Sequence, residues 1–350
     1  MTTICLADPV SDTGTYHYRV ALPYKHLREP LRRRGISLVR GDQPACDVYV
    51  YSQTITAAGI TQAIHLRKLG KRFVLGYDDH PWVMAEGYPN PKQWQLWRDW
   101  RRRQLAEVAD AVVVTTEPLK AALGGRWARD AVVLPNLIDP DDYQVLPFQR
   151  DEGVVNVVFA GSPSHLHDVK ILTPAITAAA AEFPQTVFSF LGCKPPQKLH
   201  EAFEQYGWLH RLKWYPWVKT ANYPQALCAL QPDIGLCPLI DNEFTRCKSG
   251  IKFLEMTLAG AACVTSRSAV YPEHDFVSCK ASNDPALWPS WEQQLRNVLK
   301  CPASAADMKT TAHAWVLNNA SWARWPDGWR APAAQAWEDF FVGLSNQGAS

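Results

Sequence analysis

Along most of this chain, apolar runs of strand length alternate with longer stretches whose apolar residues return at helical spacing, and the alternation comes in two successive series. Few folds accept such a pattern. Strands separated by helical segments join in parallel through βαβ crossovers, and a parallel sheet has to be covered on both faces. In the first series, strands are expected at 3–7, 47–51, 72–77, 111–115 and 131–134, with helices at 24–34, 60–69 and 93–108 among the segments between them. The polar, proline-punctuated stretch 138–150 then reads as a linker.

The second series places strands at 157–160, 187–191, 212–214, 234–238 and 262–266, and helices at 168–182, 223–230 and 249–259. Two tryptophan-bearing terminal segments, 288–299 and 308–344, complete it as helices. The expectation is an α/β chain of two Rossmann-like, doubly wound domains, 1–145 and 152–310, followed by C-terminal helices over 311–350. Such sheets bind ligands at the carboxyl ends of their strands, so a cleft between the two domains is the expected site.

Composition agrees with a two-domain globular chain. The 350 residues are 47% hydrophobic and 20% charged, with 19 Gly and 26 Pro, which excludes collagen, disorder and coiled coil. No run of 18 apolar residues is present, so no membrane span is expected. The N-terminus has no basic leader, and the nine cysteines contain no CxxC pair. A reduced, cytoplasmic chain is therefore expected. Residues 1–130 carry 19 Lys+Arg and 13 Asp+Glu, net +6, whereas 131–350 carry 17 and 21, net −4. That asymmetry suits either an acidic partner for the first half, such as a phosphate-bearing acceptor or nucleic acid, or two ordinary solvated surfaces.

The most informative segment is DIGLCPLIDNEFTRCKSGIKFLEMTLAGAACVTS at 233–266. It reads as strand, polar loop, helix and strand, with Lys248, Ser249 and Gly250 in the first helical turn. A helix start has free N–H groups and partial positive charge, so it suits an anion. Ser249 is placed to cap that turn, and Gly250 to let backbone approach a ligand. Arg246 and Lys248, with Lys252 behind them, add charge suited to a diphosphate. Glu255 follows Lys248 by two helical turns, on roughly the same face, where a carboxylate can accept both hydroxyls of a ribose.

These residues resemble the nucleotide-sugar glycosyltransferases of the GT-B fold, in particular the retaining group called family 4. That group has a Glu, seven residues and a second Glu on this helix, then a small-residue run and a strand ending in Ser. Glu255 matches the second Glu and LAGAACVTS at 258–266 the run and strand, while Cys247 occupies the first Glu position. A bacterial and phage branch with a Lys-Ser pair at this place is the closer match. Further likenesses follow in order: DTGTYHYR at 12–19, with Gly14, for the loop beside the donor phosphates; VLPNLIDPDDY at 133–143 for the exit from the first domain; FAGSPSHLHD at 159–168, with Gly161, Ser162 and His165, for the opening of the second; and WYPWV at 214–218, with Trp214, for the nucleobase pocket.

The resemblance implies a retaining transfer of a sugar from a nucleoside diphosphate, UDP being the expected nucleotide, without a cofactor. It also implies terminal helices that cross back onto the first domain. The acceptor would be a saccharide or envelope glycan, or a hydroxymethylated base in phage DNA. A GT-B nucleotide-sugar 2-epimerase and a non-catalytic nucleotide-sugar-binding module are the alternatives.

On the acceptor side, FVLGYDDHPW at 73–82 sets Asp78, Asp79 and His80 just past a strand. Two carboxylates and an imidazole there suit a cleft wall, and Asp79 or His80 is placed to assist as a base; the simpler reading has the two aspartates cap the next helix. Asp139 and Asp141 have DxD spacing but lie in the linker, so they read as structural and no obligatory metal is expected. Trp94, Trp97 and Trp100, interleaved with arginines, read as a buried stripe rather than a nucleic-acid face. Trp322, Trp325, Trp329 and Trp337 read as anchors of the terminal helix. The histidines offer no zinc spacing beyond the HxH of His165 and His167.

Overall fold

The computed structural model describes residues 1–8, 12–41, 45–52, 57–84, 90–144, 153–273, 279–284, 286–287, 289–324 and 329–346. The chain divides into two compact units: Met1–Ile138 with Arg246–Ser249 and Asn319–Ser350, and Asp139–Thr245 with Gly250–Asn318. No described helix is long and apolar enough to cross a membrane.

The first unit contains a six-stranded, wholly parallel sheet of β1 (Thr2–Ala7), β2 (Ile36–Arg40), β3 (Val48–Tyr51), β4 (Arg72–Tyr77), β5 (Ala111–Val114) and β6 (Val132–Val133). The order is β2-β1-β3-β4-β5-β6, so the winding reverses between β1 and β3. Strand β2 is absent from the sequence expectation because ISLVR is short and follows the helix Leu22–Arg33 almost directly. That helix buries Leu22, Pro23, Leu27 and Leu31 and leaves its arginines outward, the stripe expected of a surface helix. At the other end of the chain, the helix Pro332–Asn346 belongs to this same unit and buries Trp337 and Phe341.

The second unit holds β7 (Val155–Gly161), β8 (Thr186–Gly192), β9 (Leu212–Tyr215), β10 (Ile234–Cys237), β11 (Ala262–Ser266) and β12 (Cys279–Ala281). They form another six-stranded parallel sheet in the order β12-β11-β10-β7-β8-β9, with its switch point between β7 and β10. Phe159, Phe188, Phe190 and Phe203 fill the core beside it, each a burial of about 1.5–3 kcal/mol. Buried Arg211 donates to the carbonyl oxygens of Ala180, Phe183 and Thr186, tying a helix end to the start of β8.

Several expected elements differ in extent. The helix expected over 168–182 is two pieces, Leu166–Lys170 and Thr173–Glu182. The helix Pro302–Asn319 runs unbroken through position 311, burying Ala312 and Val316, so the return to the first unit begins at Asn319. The expected boundaries at 145 and 152 lie outside the described residues. Trp94 is buried and Trp97 and Trp100 are half-buried, so the stripe is only partly core. Trp322 and Trp337 pack together with ring centroids 6.1 Å apart, whereas Trp329 is exposed and Trp325 lies outside the described residues.

Candidate functional site

In the second unit the polar groups gather at the carboxyl end of β7, beside the switch point. Gly161 closes the strand, and a methyl group there would lie 2.8 Å from Lys252 Nζ and 3.3 Å from His165 Cδ2. The missing side chain is what admits the ammonium. Lys252 comes from the first turn of the helix Ile251–Leu258 and lies 5.7 Å from the centroid of the Phe159 ring. Beside it, His165 Nδ1 is 2.8 Å from Asp168 Oδ2, while Asp168 Oδ1 accepts the Ile240 amide at 2.9 Å. The buried carboxylate fixes the imidazole in one orientation. Gly192 ends β8 with φ +86°, and a methyl group there would meet the Gly161 carbonyl oxygen at 2.5 Å.

Glu255 lies one turn beyond Lys252, so these two, three residues apart, share a helical face. It is 7% exposed and accepts a hydrogen bond from the Tyr223 hydroxyl at 3.1 Å. Burial, reinforced by the Glu255 charge, pushes the Tyr223 phenol well above its ordinary value, so the phenol remains a donor. The Tyr223 ring stacks on Trp217 at 6.4 Å and 27°. Trp217 is 50% exposed, an open aromatic face at the edge of this cluster. Trp214 sits on edge strand β9, donating to the Gly192 carbonyl at 3.3 Å under the Lys194 ammonium.

The expected Lys248-Ser249-Gly250 helix start is corrected. The helix begins at Ile251 with Gly250 as N-cap, and no side chain caps it. Lys248 therefore precedes the helix and shares no face with Glu255. Ser249 Oγ instead accepts from Asn136 Nδ2 at 3.1 Å, and the Cys247 carbonyl accepts from Thr116 Oγ1 at 2.9 Å. Residues Arg246–Ser249 accordingly belong to the first unit. Arg246 is exposed at the end of the short helix Glu243–Arg246. Gly250 serves the chain's own packing, since a methyl group there would strike the Val270 carbonyl oxygen at 2.7 Å.

In the first unit, β4 delivers Asp78 and Asp79. Asp78 Oδ1 accepts from Asn136 Nδ2 at 3.0 Å and Oδ2 from Thr15 Oγ1 at 3.0 Å. Asp79 Oδ1 takes Lys248 Nζ at 2.9 Å. These are side-chain pairs, not helix caps; the following helix, Pro91–Glu107, is capped by Asn90. Behind Asp78, Arg19 is 3% exposed, stacks 4.6 Å over the Trp337 ring and donates to the Leu134 carbonyl at 2.5 Å. A π-helical turn at His17–Ala21 turns Tyr18, Arg19 and Val20 inward in succession. Burial lowers the Arg19 guanidinium to about 10, with Asp78 opposing. Burial and then the Asp79 charge raise the Asp78 carboxyl; Arg19, Asn136 and Thr15 hold the rise back. Asp78, Asp79, Thr15, Ser52 and Arg101 help to wall a cavity of about 110 Å³.

His80 is corrected as a base. It is buried, and its Nδ1 accepts the amides of Trp82 and Val83, both at 3.1 Å. In the neutral imidazole the proton then sits on Nε2, and the ring braces the turn. Gly14 opens a short helix capped by Thr13 and is exposed, with open space where a side chain would stand. Ser162 Oγ pairs with Ser164 Oγ at 2.6 Å. Asp139 accepts the Asp141 amide at 3.1 Å, capping a 3₁₀ turn. Among the described residues, no group of three or more His, Cys, Asp and Glu side chains is arranged to hold a metal ion. Of the residues that now stand out, Lys252 carried a signal in its spacing to Glu255; Arg19, Asn136, Asp168 and Trp217 lie in the segments that carry the resemblance but were not singled out, and Tyr223 carried no signal.

No family model matches the sequence, and no curated protein matches it. Solved structures do. The HepE protein of Anabaena, crystallised with UDP and glucose, superposes with a TM-score of 0.64 at 14% identity, over 99% of this chain and 100% of that one. WaaG, a glycosyltransferase of lipopolysaccharide biosynthesis, gives 0.58 at 14% identity over 90% and 95%. A Listeria monocytogenes protein assigned as a UDP-N-acetylglucosamine 2-epimerase gives 0.55 at 10% over 99% and 97%. With its two parallel six-stranded sheets, this chain has the GT-B fold.

Proposed function

We propose that this chain transfers a glycosyl group from a nucleoside diphosphate sugar, with UDP as the nucleotide, to an acceptor hydroxyl with retention of configuration. The observation that carries this reading is the Lys252 ammonium beside Gly161, next to the Asp168–His165 pair and one helical turn before Glu255. Lys252, His165 and the amides that open the Ile251–Leu258 helix would take the diphosphate. Glu255 would accept the ribose hydroxyls, and the open ring of Trp217 would carry the base. In the first unit, Asp78 and Asp79 would orient the acceptor hydroxyl, with Lys248 holding Asp79 in place.

The bond between the anomeric carbon and the diphosphate oxygen breaks, and the acceptor oxygen joins that carbon on the same face. The acceptor proton passes to the departing diphosphate oxygen, so no further base is required. Lys252 stabilises the charge growing on the leaving group. Its charge makes a divalent ion dispensable; full activity in excess EDTA is expected, and complete, Mg²⁺-reversible loss overturns that point.

A melting-point panel with UDP-, GDP-, ADP- and TDP-sugars tests the donor. Ligand at 100 times its Kd should stabilise the fold by about 2.7 kcal/mol. A rise with a UDP-sugar is expected, and no response to any donor refutes the proposal. The acceptor in this reading is a saccharide. Transfer to hydroxymethylated but not plain duplex DNA, with a salt-sensitive gel shift, would replace it with a DNA base. The likeness to the Listeria protein favours one second reading, 2-epimerisation of the donor itself. Proton NMR of donor incubated without acceptor separates the two.

A further inference from the structure

Just past the Asp78–Asp79 pair, the same turn walls a second and larger cavity that the donor and transfer steps leave unused. It is an open groove of about 440 Å³, lined by Trp82, Arg102, Leu105, Ala106, Arg126 and Trp127. Trp82 is held by its indole N–H, which donates to the Leu123 carbonyl at 3.3 Å. The Arg102 guanidinium lies 5.7 Å over the Trp82 ring, and that of Arg126 lies 4.1 Å over Trp127. A guanidinium stacked on an indole keeps its N–H donors in its own plane, where an anion alongside can take two of them.

Among the described residues no carboxylate lines the groove. Asp99 approaches Arg102 only to 4.0 Å, and Asp130, which feels the Arg126 charge, is itself bound by Arg129 at 2.7 Å. Two cations thus face a space with no acidic wall, above a floor of Leu105 and Ala106. The groove is also close to the candidate acceptor carboxylates. Asp79 and Trp82 are three residues apart, at most about 11 Å of extended chain. Arg101 walls the smaller cavity and its neighbour Arg102 the larger.

We propose that this groove binds an acidic sugar unit of the acceptor, one bearing a carboxylate or a phosphate, near the hydroxyl that receives the transferred sugar. The proposal rests on the acceptor reading given above. A nucleic-acid strand is disfavoured because bases stack on open aromatic faces. Here Trp127 is buried and Arg102 lies over Trp82.

Calorimetric titration of the whole chain with tetragalacturonate against its methyl ester tests the carboxylate source, and mannose 6-phosphate against mannose tests the phosphate source. At least one anionic probe should bind about tenfold or more tighter than its neutral counterpart. The double variant R102Q/R126Q should lose that preference while binding UDP as the parent does. No preference for either anion, or a preference that survives the double variant, overturns the proposal. Duplex DNA binding that the double variant abolishes, with no saccharide preference, also overturns it. Failure of the transferase reading looks different: no nucleotide sugar would bind, whatever the saccharides do.

Discussion

Replacing Gly161 with Ala should weaken UDP binding through a residue that Gly161 does not covalently adjoin. The new methyl group would stand 2.8 Å from Lys252 Nζ, 3.2 Å from Phe159 Cζ and 3.3 Å from His165 Cδ2. Only the first is well inside contact distance, and it is the far end of a flexible stem, so the ammonium moves while the backbone stays. A charge-assisted hydrogen bond contributes about 1.5–3 kcal/mol, which at about 1.4 kcal/mol per decade is roughly a 10- to 150-fold loss in UDP affinity. Lys252→Met removes the same charge directly and should give a similar loss. Because both act on one contact, the double variant should bind within about 0.5 kcal/mol of Lys252→Met alone, far from additive. Isothermal titration with UDP measures all four corners of the cycle, and urea midpoints confirm that each variant is folded. Unchanged affinity in Lys252→Met removes Lys252 from the donor site. Additive losses show that Gly161 acts by some route other than the ammonium.

Lys248→Met should leave the UDP Kd unchanged and raise the acceptor KM, because Lys248 is bound to Asp79; a weakened UDP Kd returns Lys248 to the donor side. Tyr223→Phe deprives buried Glu255 of a donor and should cost about 1–3 kcal/mol by urea denaturation; no loss means that Glu255 does not depend on that hydroxyl. Gly192→Ala should destabilise by about 2–4 kcal/mol, since it adds a left-handed backbone penalty to a clash with the Gly161 carbonyl, and it should exceed Gly161→Ala. For pH, the raised Asp78 carboxyl contributes stability that is intact below the ordinary value of 3.8 and lost as pH rises through its native value. If ionised Asp78 orients the acceptor, kcat/KM falls on acidification through that raised value. Arg19→Met removes the cation that restrains the rise and should move the acid limb to higher pH; a limb at the ordinary carboxylate value, or one that stays put, refutes the assignment.

The two-sheet architecture was legible because most strands are short runs rich in apolar and β-branched residues, VVFAG, TVFSFLG and ACVTS among them, separated by helical segments. Strands β2 and β12 were not: ISLVR follows its helix almost directly, and CKA is three residues with a lysine at its centre. At the site, the Lys248–Glu255 spacing read from the sequence failed, because long-range pairing decides where Lys248 sits. Lys252 and Glu255 lie three apart on one helix, a relation the sequence displays. Lys248 was misplaced because the helix starts at Ile251, three residues past it, and the reason is distant: Asn136 and Asp79, 113 and 169 residues away, take Ser249 and Lys248. His80 looked like a base because its type and position suit one; only the fold reveals that two amides occupy Nδ1.

The strand orders explain why the polar residues gather where they do. In the sheet β12-β11-β10-β7-β8-β9, the connections after β7 and β10 leave in opposite directions, opening a crevice at their carboxyl ends. Gly161 ends β7, and the helix that carries Lys252 and Glu255 lies between β10 and β11. A cation and a buried acid on one helical face at that crevice match a ligand whose charged part lies at the helix start and whose hydroxylated part lies one turn deeper. A nucleoside diphosphate has that order of groups, phosphates and then ribose. The first sheet reverses instead between β1 and β3, where Ser52 bonds Asp8 at 2.6 Å and the cavity beside it is walled by Asp78 and Asp79 together with Thr15, Ser52 and Arg101. Carboxylates accept from hydroxyls, which is why the proposed reading assigns the acceptor to the first unit and the donor to the second.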